Sequence, residues 1–153
     1  MNPSAERLIL SLAFLWLTSA SLATSTPPNL TQAITDEINQ IRVSAQLPPL
    51  LPDRNLSALA GEWSDRMARR NRLSHRSDLL AQMRRLGYRS INENIFYATG
   101  PVTAREVVAA WMNSPGHRRN LLAPMMNRIG VGQAVNRSGV TYFTFNSAQA
   151  ENS

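Results

Sequence analysis

The chain of 153 residues contains no cysteine. That absence excludes a disulfide-stapled scaffold, a thiolate metal cluster and a cysteine nucleophile together. Lysine is missing as well: all 16 basic residues are arginine, against 10 acidic residues, for a formal net charge of +6. Chemistry through a lysine amine is therefore closed to this protein. Histidine is scarce, with only His75 and His117. The one long apolar run, Leu8 to Leu17, falls short of the roughly 20 residues a helix needs to span a bilayer. No internal repeat and no low-complexity segment interrupts the chain.

What remains is a globular composition, 43% hydrophobic and 17% charged, which rules out collagen-like, coiled-coil and generally disordered classes. The length suits one domain. Arg7, the apolar run and the small residues of Ser21-Leu22-Ala23 read as a secretory signal over residues 1–23, the alternative being an uncleaved anchor. This predicts a secreted or periplasmic protein. A mature chain of about 130 residues can bury roughly two-thirds of its unfolded surface, so it needs no covalent staples.

Residues 24–30 (TSTPPNL) form a proline-rich lead-in. Ile34, Ile38 and Ile41 recur at helical spacing and predict a helix from about Thr31 to Ala45. Pro48, Pro49 and Pro52 impose a loop, after which Asp53 can cap a second helix with Leu56, Leu59, Ala60, Trp63 and Met67 on one stripe. A third helix is expected from Asp78 to Leu86, ending at Gly87, and a strand from Ser90 to Ala98. Thr103 and Glu106 have capping-box spacing at the head of a fourth helix, which accounts for Glu106 without any chemistry. Ser114-Pro115 suits the start of a short helix through Leu122. Strands are expected at Arg128–Val135 and Val140–Ser147, joined by a turn at Asn136–Gly139, with a polar, frayed tail over 148–153. Helices mostly first and strands mostly last suggest an α+β fold, a small antiparallel sheet covered by helices.

The chemistry-bearing residues are few. His75 and His117 lie 42 residues apart beside turn residues, with no local metal-ligand spacing between them. Glu93 sits in the predicted strand, where alternation sets it on one face with Ile91, Ile95 and Tyr97. Such a carboxylate either reaches solvent at a sheet edge or is buried and paired. The arginines at 66, 69, 70, 72, 84, 85, 89, 118 and 119 make a basic surface. It is either a simple solvated face or a surface for anionic headgroups and cell-envelope polymers. Nucleic acid is not expected as a partner, since no platform of interleaved aromatics accompanies the charge.

Several ordered motifs then carry a resemblance. They are Ile38-Asn39 with Arg42, the proline turn from Leu50 to Leu56, Leu73-Ser74-His75-Arg76-Ser77, Glu93-Asn94-Ile95, the run Val107 to His117 ending in Ser114-Pro115-Gly116-His117, and Ile129-Gly130-Val131-Gly132. In this order, over roughly Ala33 to Asn146, the chain resembles the CAP superfamily. This is the SCP-like domain of cysteine-rich secretory, antigen 5 and pathogenesis-related proteins, and the likeness is strongest to its small bacterial branch. The resemblance implies a three-layer α-β-α sandwich over residues 31–147, with a small, mainly antiparallel central sheet. It also implies a cleft lined here by His75, Glu93, Asn94, Ser114 and His117. Where the family has a second cleft glutamate, this chain has Ser114.

Two neutral imidazoles can hold Zn²⁺, so His75 and His117 are the candidate metal ligands, and Glu93 is the general base if the protein is a hydrolase. With the second carboxylate missing, the resemblance favours a binding protein for a lipid-like or cell-envelope ligand over a zinc-dependent hydrolase. A structural role without a cleft ligand is the third reading.

Overall fold

The computed structural model describes residues 29–151. The expected signal over 1–23 and most of the proline-rich lead-in lie outside the described residues. The lead-in's last two residues belong to the fold: Asn29 caps the first helix, its side chain accepting from the Gln32 N–H, and Leu30 opens it.

Five helices and four strands follow in the order α1 (Leu30–Ser44), β1 (Leu51–Pro52), α2 (Arg54–Arg70), α3 (Leu79–Leu86), β2 (Ser90–Thr99), α4 (Ala104–Asn113), α5 (Pro115–Leu121), β3 (Arg128–Val135) and β4 (Val140–Gln149). The local signals explain most of the boundaries. Asp53 caps α2 by accepting from the Asn55 and Leu56 amides. Gly87 ends α3 in the left-handed conformation, φ 76°, where a side chain would be strained. Thr103 and Glu106 form both bonds of the capping box on α4.

The strands form one sheet in the order β1-β3-β4-β2. The β2–β4 and β3–β4 pairings are antiparallel, and the short β1–β3 pairing is parallel. On one face α1, α4 and α5 cover a cluster that includes Ile34, Ile38, Val107, Trp111, Leu121, Val131, Phe143 and Phe145. On the other face α2 and α3 cover two smaller clusters, one around Leu56, Tyr88 and Ile91 and one around Trp63, Met67 and Ile95. The expected α+β, α-β-α sandwich is therefore the observed architecture. Among the described residues the paired sheet and three apolar clusters form a core of their own.

Two local expectations differ. The proline loop is expected to run unpaired through Pro52, yet Leu51–Pro52 pairs with Arg128–Ile129. The Leu51 amide donates to Asn127 O, and the Asp53 amide closes the bridge on Ile129 O, since Pro52 has no N–H to give. The tail is expected to fray from Ala148, yet β4 continues to Gln149. Ala148 is fully buried in the Leu56 cluster and pairs with Ile91, and Asn127 then grips Ala150 from both sides, through its amide and its carbonyl. A small apolar residue inside a polar stretch is the cue that local patterning overlooks.

Three features fix the layers. Gly130 and Gly132 lie so close under α2 that a Cβ on either would overlap the helix backbone. Arg42 is wholly buried and donates to the carbonyls of Pro48, Leu121 and Ala123, tying α1 to the proline loop and to the end of α5. At the edge strand β2, the carbonyls of Glu93 and Ile95 accept from Asn120 Nδ2 and Trp111 Nε1, which blunts that edge against pairing with another chain. Among the described residues no helix is long and apolar enough to cross a membrane.

Candidate functional site

The loop between α2 and α3 carries His75, and α2 positions it. Trp63, a buried residue of α2, donates from Nε1 to Ser74 O at 2.8 Å. On the other side of His75, Arg76 stacks its guanidinium over the same indole, 4.8 Å from the ring centroid, and pairs with Glu62 and Asp78. His75 is thus bracketed by two anchored neighbours while its own side chain stays 60% exposed.

Glu93 points from β2 into the α2 face with only 2% of its side chain exposed. Of the two possibilities open to this carboxylate, the buried and paired one holds. Its Oε1 accepts from the Arg76 backbone N–H at 2.9 Å and lies 2.9 Å from His75 Nδ1. A carboxylate oxygen can only accept, which makes Nδ1 the donor and leaves the lone pair of His75 on Nε2. The other carboxylate oxygen, Oε2, is enclosed without a hydrogen-bond partner.

His117 comes from α5. Pro115 starts that helix directly after Ser114, which is both the C-cap of α4 and the N-cap of α5. Asn94, the neighbour of Glu93 on the opposite face of β2, donates to His117 O at 3.0 Å and accepts from Asn120 Nδ2 at 2.8 Å. The two imidazole rings stand 6.4 Å apart between centroids, tilted by 52°. Partial burial is the main cause that pushes the His117 pKa below its ordinary value, and the nearby His75 ring adds to the effect.

The fold therefore brings His75, Glu93 and His117 together and places Asn94 behind them as a backbone clamp. Ser114 stands three residues before His117, and its side chain makes no cap bond. Sequence reasoning assigned no site role to three further residues that build this region: Arg76, Asn120 and Arg42. Arg76 and Asn120 sit within or beside the histidine motifs, yet nothing in their spacing shows that one is buried against Trp63 and the other bridges to β2.

The donor set can be tested against a metal ion. Two imidazoles on one tetrahedral zinc, with Zn–N near 2.0–2.1 Å, place their ring centroids about 5 Å apart. The observed 6.4 Å is wider by about 1 Å, a gap that the exposed His75 ring can close by a small movement. Glu93 is engaged as the outer partner of His75 Nδ1, the usual arrangement behind a metal-bound histidine. Among the described residues no group of three or more His, Cys, Asp or Glu is placed to hold a metal ion. The pair thus offers two protein ligands at most, fewer than the three of a catalytic zinc.

Known proteins match both the sequence and the fold. The sequence profile of the cysteine-rich secretory protein family, CAP, covers residues 35–147. The "uncharacterized protein YkwD" of Bacillus subtilis (strain 168) is 37% identical over 118 residues, 71% of this chain and 45% of that protein, so the chain spans less than half the length of this relative. A Bacillus anthracis extracellular protein containing an SCP domain has a TM-score of 0.65 and 31% identity, over 78% of this chain and 40% of that one. An outer surface protein of Borrelia burgdorferi shares the fold alone, with a TM-score of 0.70 at 18% identity, over 78% and 92% of the two chains. A protein with no cysteine thus belongs to the cysteine-rich secretory protein family, in the bacterial SCP-domain branch of the CAP superfamily.

Proposed function

We propose that this chain is an exported CAP-domain binding protein whose His75–Glu93–His117 site takes a cell-envelope or lipid-like ligand, with a divalent ion such as Zn²⁺ able to bridge the two imidazoles. One observation carries the choice of binding over hydrolysis. Glu93 spends Oε1 on the His75 ring and the Arg76 amide, and Oε2 is enclosed. A general base must reach the proton it removes, directly or through one water. With Ser114 in place of a second carboxylate, the site has no other carboxylate for that task.

In this reading each residue has a distinct part. Glu93 holds the tautomer of His75, so that Nε2 presents its lone pair outward. Burial favours the neutral form of His117, the form a metal ligand must take. Asn94 and Asn120 lock the α5 backbone to β2 so that the distance between the rings is set by the fold. A bound ion would supply a positive centre for an anionic or carbonyl-bearing ligand.

Calorimetric titration of Zn²⁺ into the chain from Thr24 to Ser153, which contains every described helix and the sheet, tests the metal part. Binding is expected in the wild type and lost in His75→Ala and in His117→Ala. Glu93→Gln should weaken it by roughly 10- to 100-fold, as loss of an outer-shell partner does. An absence of zinc binding in the wild type removes the ion from the proposal. Solvent extraction of the protein purified from its native envelope, followed by mass spectrometry, tests for the lipid-like ligand. The hydrolase reading is the alternative: turnover of an ester or peptide that disappears in Glu93→Gln would establish it and overturn this one.

A further inference from the structure

The outer side of α5 and the turn after it form a surface that the histidine site does not use. Arg118 and Arg119 lie on the last turn of α5, where the helix dipole favours cations, and both are exposed. The Arg118 Nε donates to Met112 O at 2.7 Å, and neither guanidinium takes part in an ion pair among the described residues. Three other arginines of the basic surface are paired locally, Arg66 with Glu62, Arg69 with Asp65 and Arg89 with Glu151. Arg70, Arg72, Arg84 and Arg85 likewise make no ion pair among the described residues, but they do not line the hollow beside α5.

Directly beside the two free guanidiniums the chain is apolar. Leu122, Ala123 and Pro124 line a shallow hollow with them. Pro124 also borders a second hollow, lined on its far side by Pro48 and Pro49. Next to it stands Met125, 64% exposed, the most exposed large hydrophobic side chain among the described residues. The acidic residue of that second hollow, Glu151, is occupied by Arg89 at 2.7 Å.

We propose that this face docks on the surface of a bilayer containing anionic phospholipid. Two guanidiniums without a carboxylate partner among the described residues offer positive charge to lipid phosphates. The adjoining proline, leucine and methionine side chains offer apolar area that can enter the headgroup boundary, and an interfacial anchor needs both components. An acidic protein partner is the competing occupant, and it would leave the wild type unable to bind anionic vesicles. Because His117 and Arg118–Arg119 share one short helix, docking here holds the histidine site beside the membrane. The proposal does not depend on what those histidines bind.

Flotation of the Thr24–Ser153 chain with vesicles tests it, comparing phosphatidylcholine alone with phosphatidylcholine containing phosphatidylglycerol. Binding is expected only to the anionic vesicles, weakening as salt is raised. Arg118→Glu with Arg119→Glu should lower the affinity by about 30-fold or more, given about 1 kcal/mol for each basic residue near such a surface. Arg118→Lys with Arg119→Lys should retain most of it, which separates charge from folding damage. Met125→Asp should weaken binding at constant salt. Failure of the wild type to bind anionic vesicles overturns the proposal and leaves the histidine-site reading standing. So does equal binding by the double glutamate variant. Competition by millimolar inorganic phosphate to the same extent as by excess vesicles would show a free-phosphate site instead.

Discussion

His75 and Glu93 are joined at 2.9 Å between Nδ1 and Oε1, yet one side chain is 60% exposed and the other 2%. The pair is a conduit from the interior of the α2 face to the surface. Its buried end is fixed by the strand and by the Arg76 amide, and its outer end presents an imidazole nitrogen to whatever approaches.

Removing the buried end should therefore be costly. Glu93→Ala leaves the Arg76 N–H and the His75 ring without their acceptor, and an unsatisfied buried donor costs about 1–3 kcal/mol. Urea unfolding at pH 7 should show that loss, and Glu93→Gln, which retains one acceptor oxygen, should lose less. Equal stability of Glu93→Ala and the wild type would contradict the geometry.

The depressed pKa of His117 gives a pH dependence of known sign. The unfolded histidine takes up a proton near its ordinary value of about 6.5, the folded one only at lower pH. Between those two points the unfolded state binds more protons. The stability from this group is thus complete above the unfolded pKa and is lost as pH falls through the folded one. His117→Gln should flatten this part of the stability profile. An NMR titration should place the His117 ring below the ordinary histidine value, and His75→Ala should raise it partway back, because the second cause of the shift is then gone.

The contact of β3 with α2 tolerates no side chain. Gly132→Ala drives a Cβ into the backbone of Ala60 and Gly61, and Gly130→Ala does the same at Leu56 and Ser57. Both obstacles are backbone, which cannot rotate away. Each variant should lose more than the 1–3 kcal/mol usual for overpacking, seen as a large fall in Tm or failure to fold. Gly61→Ala, in α2 with open space around its Cβ, should be neutral or better and serves as the control.

Arg42 is a staple whose loss should reach the site from a distance. Arg42→Met keeps the apolar stem but strands the carbonyls of Pro48, Leu121 and Ala123. A destabilisation of about 2 kcal/mol or more is expected. Hydrogen exchange should quicken at the end of α5 and in the following turn before it does in β4. Uniform loss of protection across the sheet would argue against so local a role.

Sequence periodicity, caps and turn residues, all local in range, determined the helices, the long strands and the α+β class. Asp53, Thr103 with Glu106, and Gly87 each act within a few residues, so their effect is visible without the fold. The motif order around His75, Glu93 and His117 was also readable, as was the dilemma of a carboxylate among isoleucines. Only the tertiary structure decided how that dilemma resolves, because the partners of Glu93 lie 17 and 18 residues away on another segment. It likewise decided that Arg42 and Arg76 are interior while Arg118 and Arg119 are exposed, since identical side chains differ only in what packs over them. The two-residue β1 and the buried Ala148 escaped the sequence for the same reason: pairing and burial are properties of the neighbour across the sheet, and no local pattern records which neighbour that is.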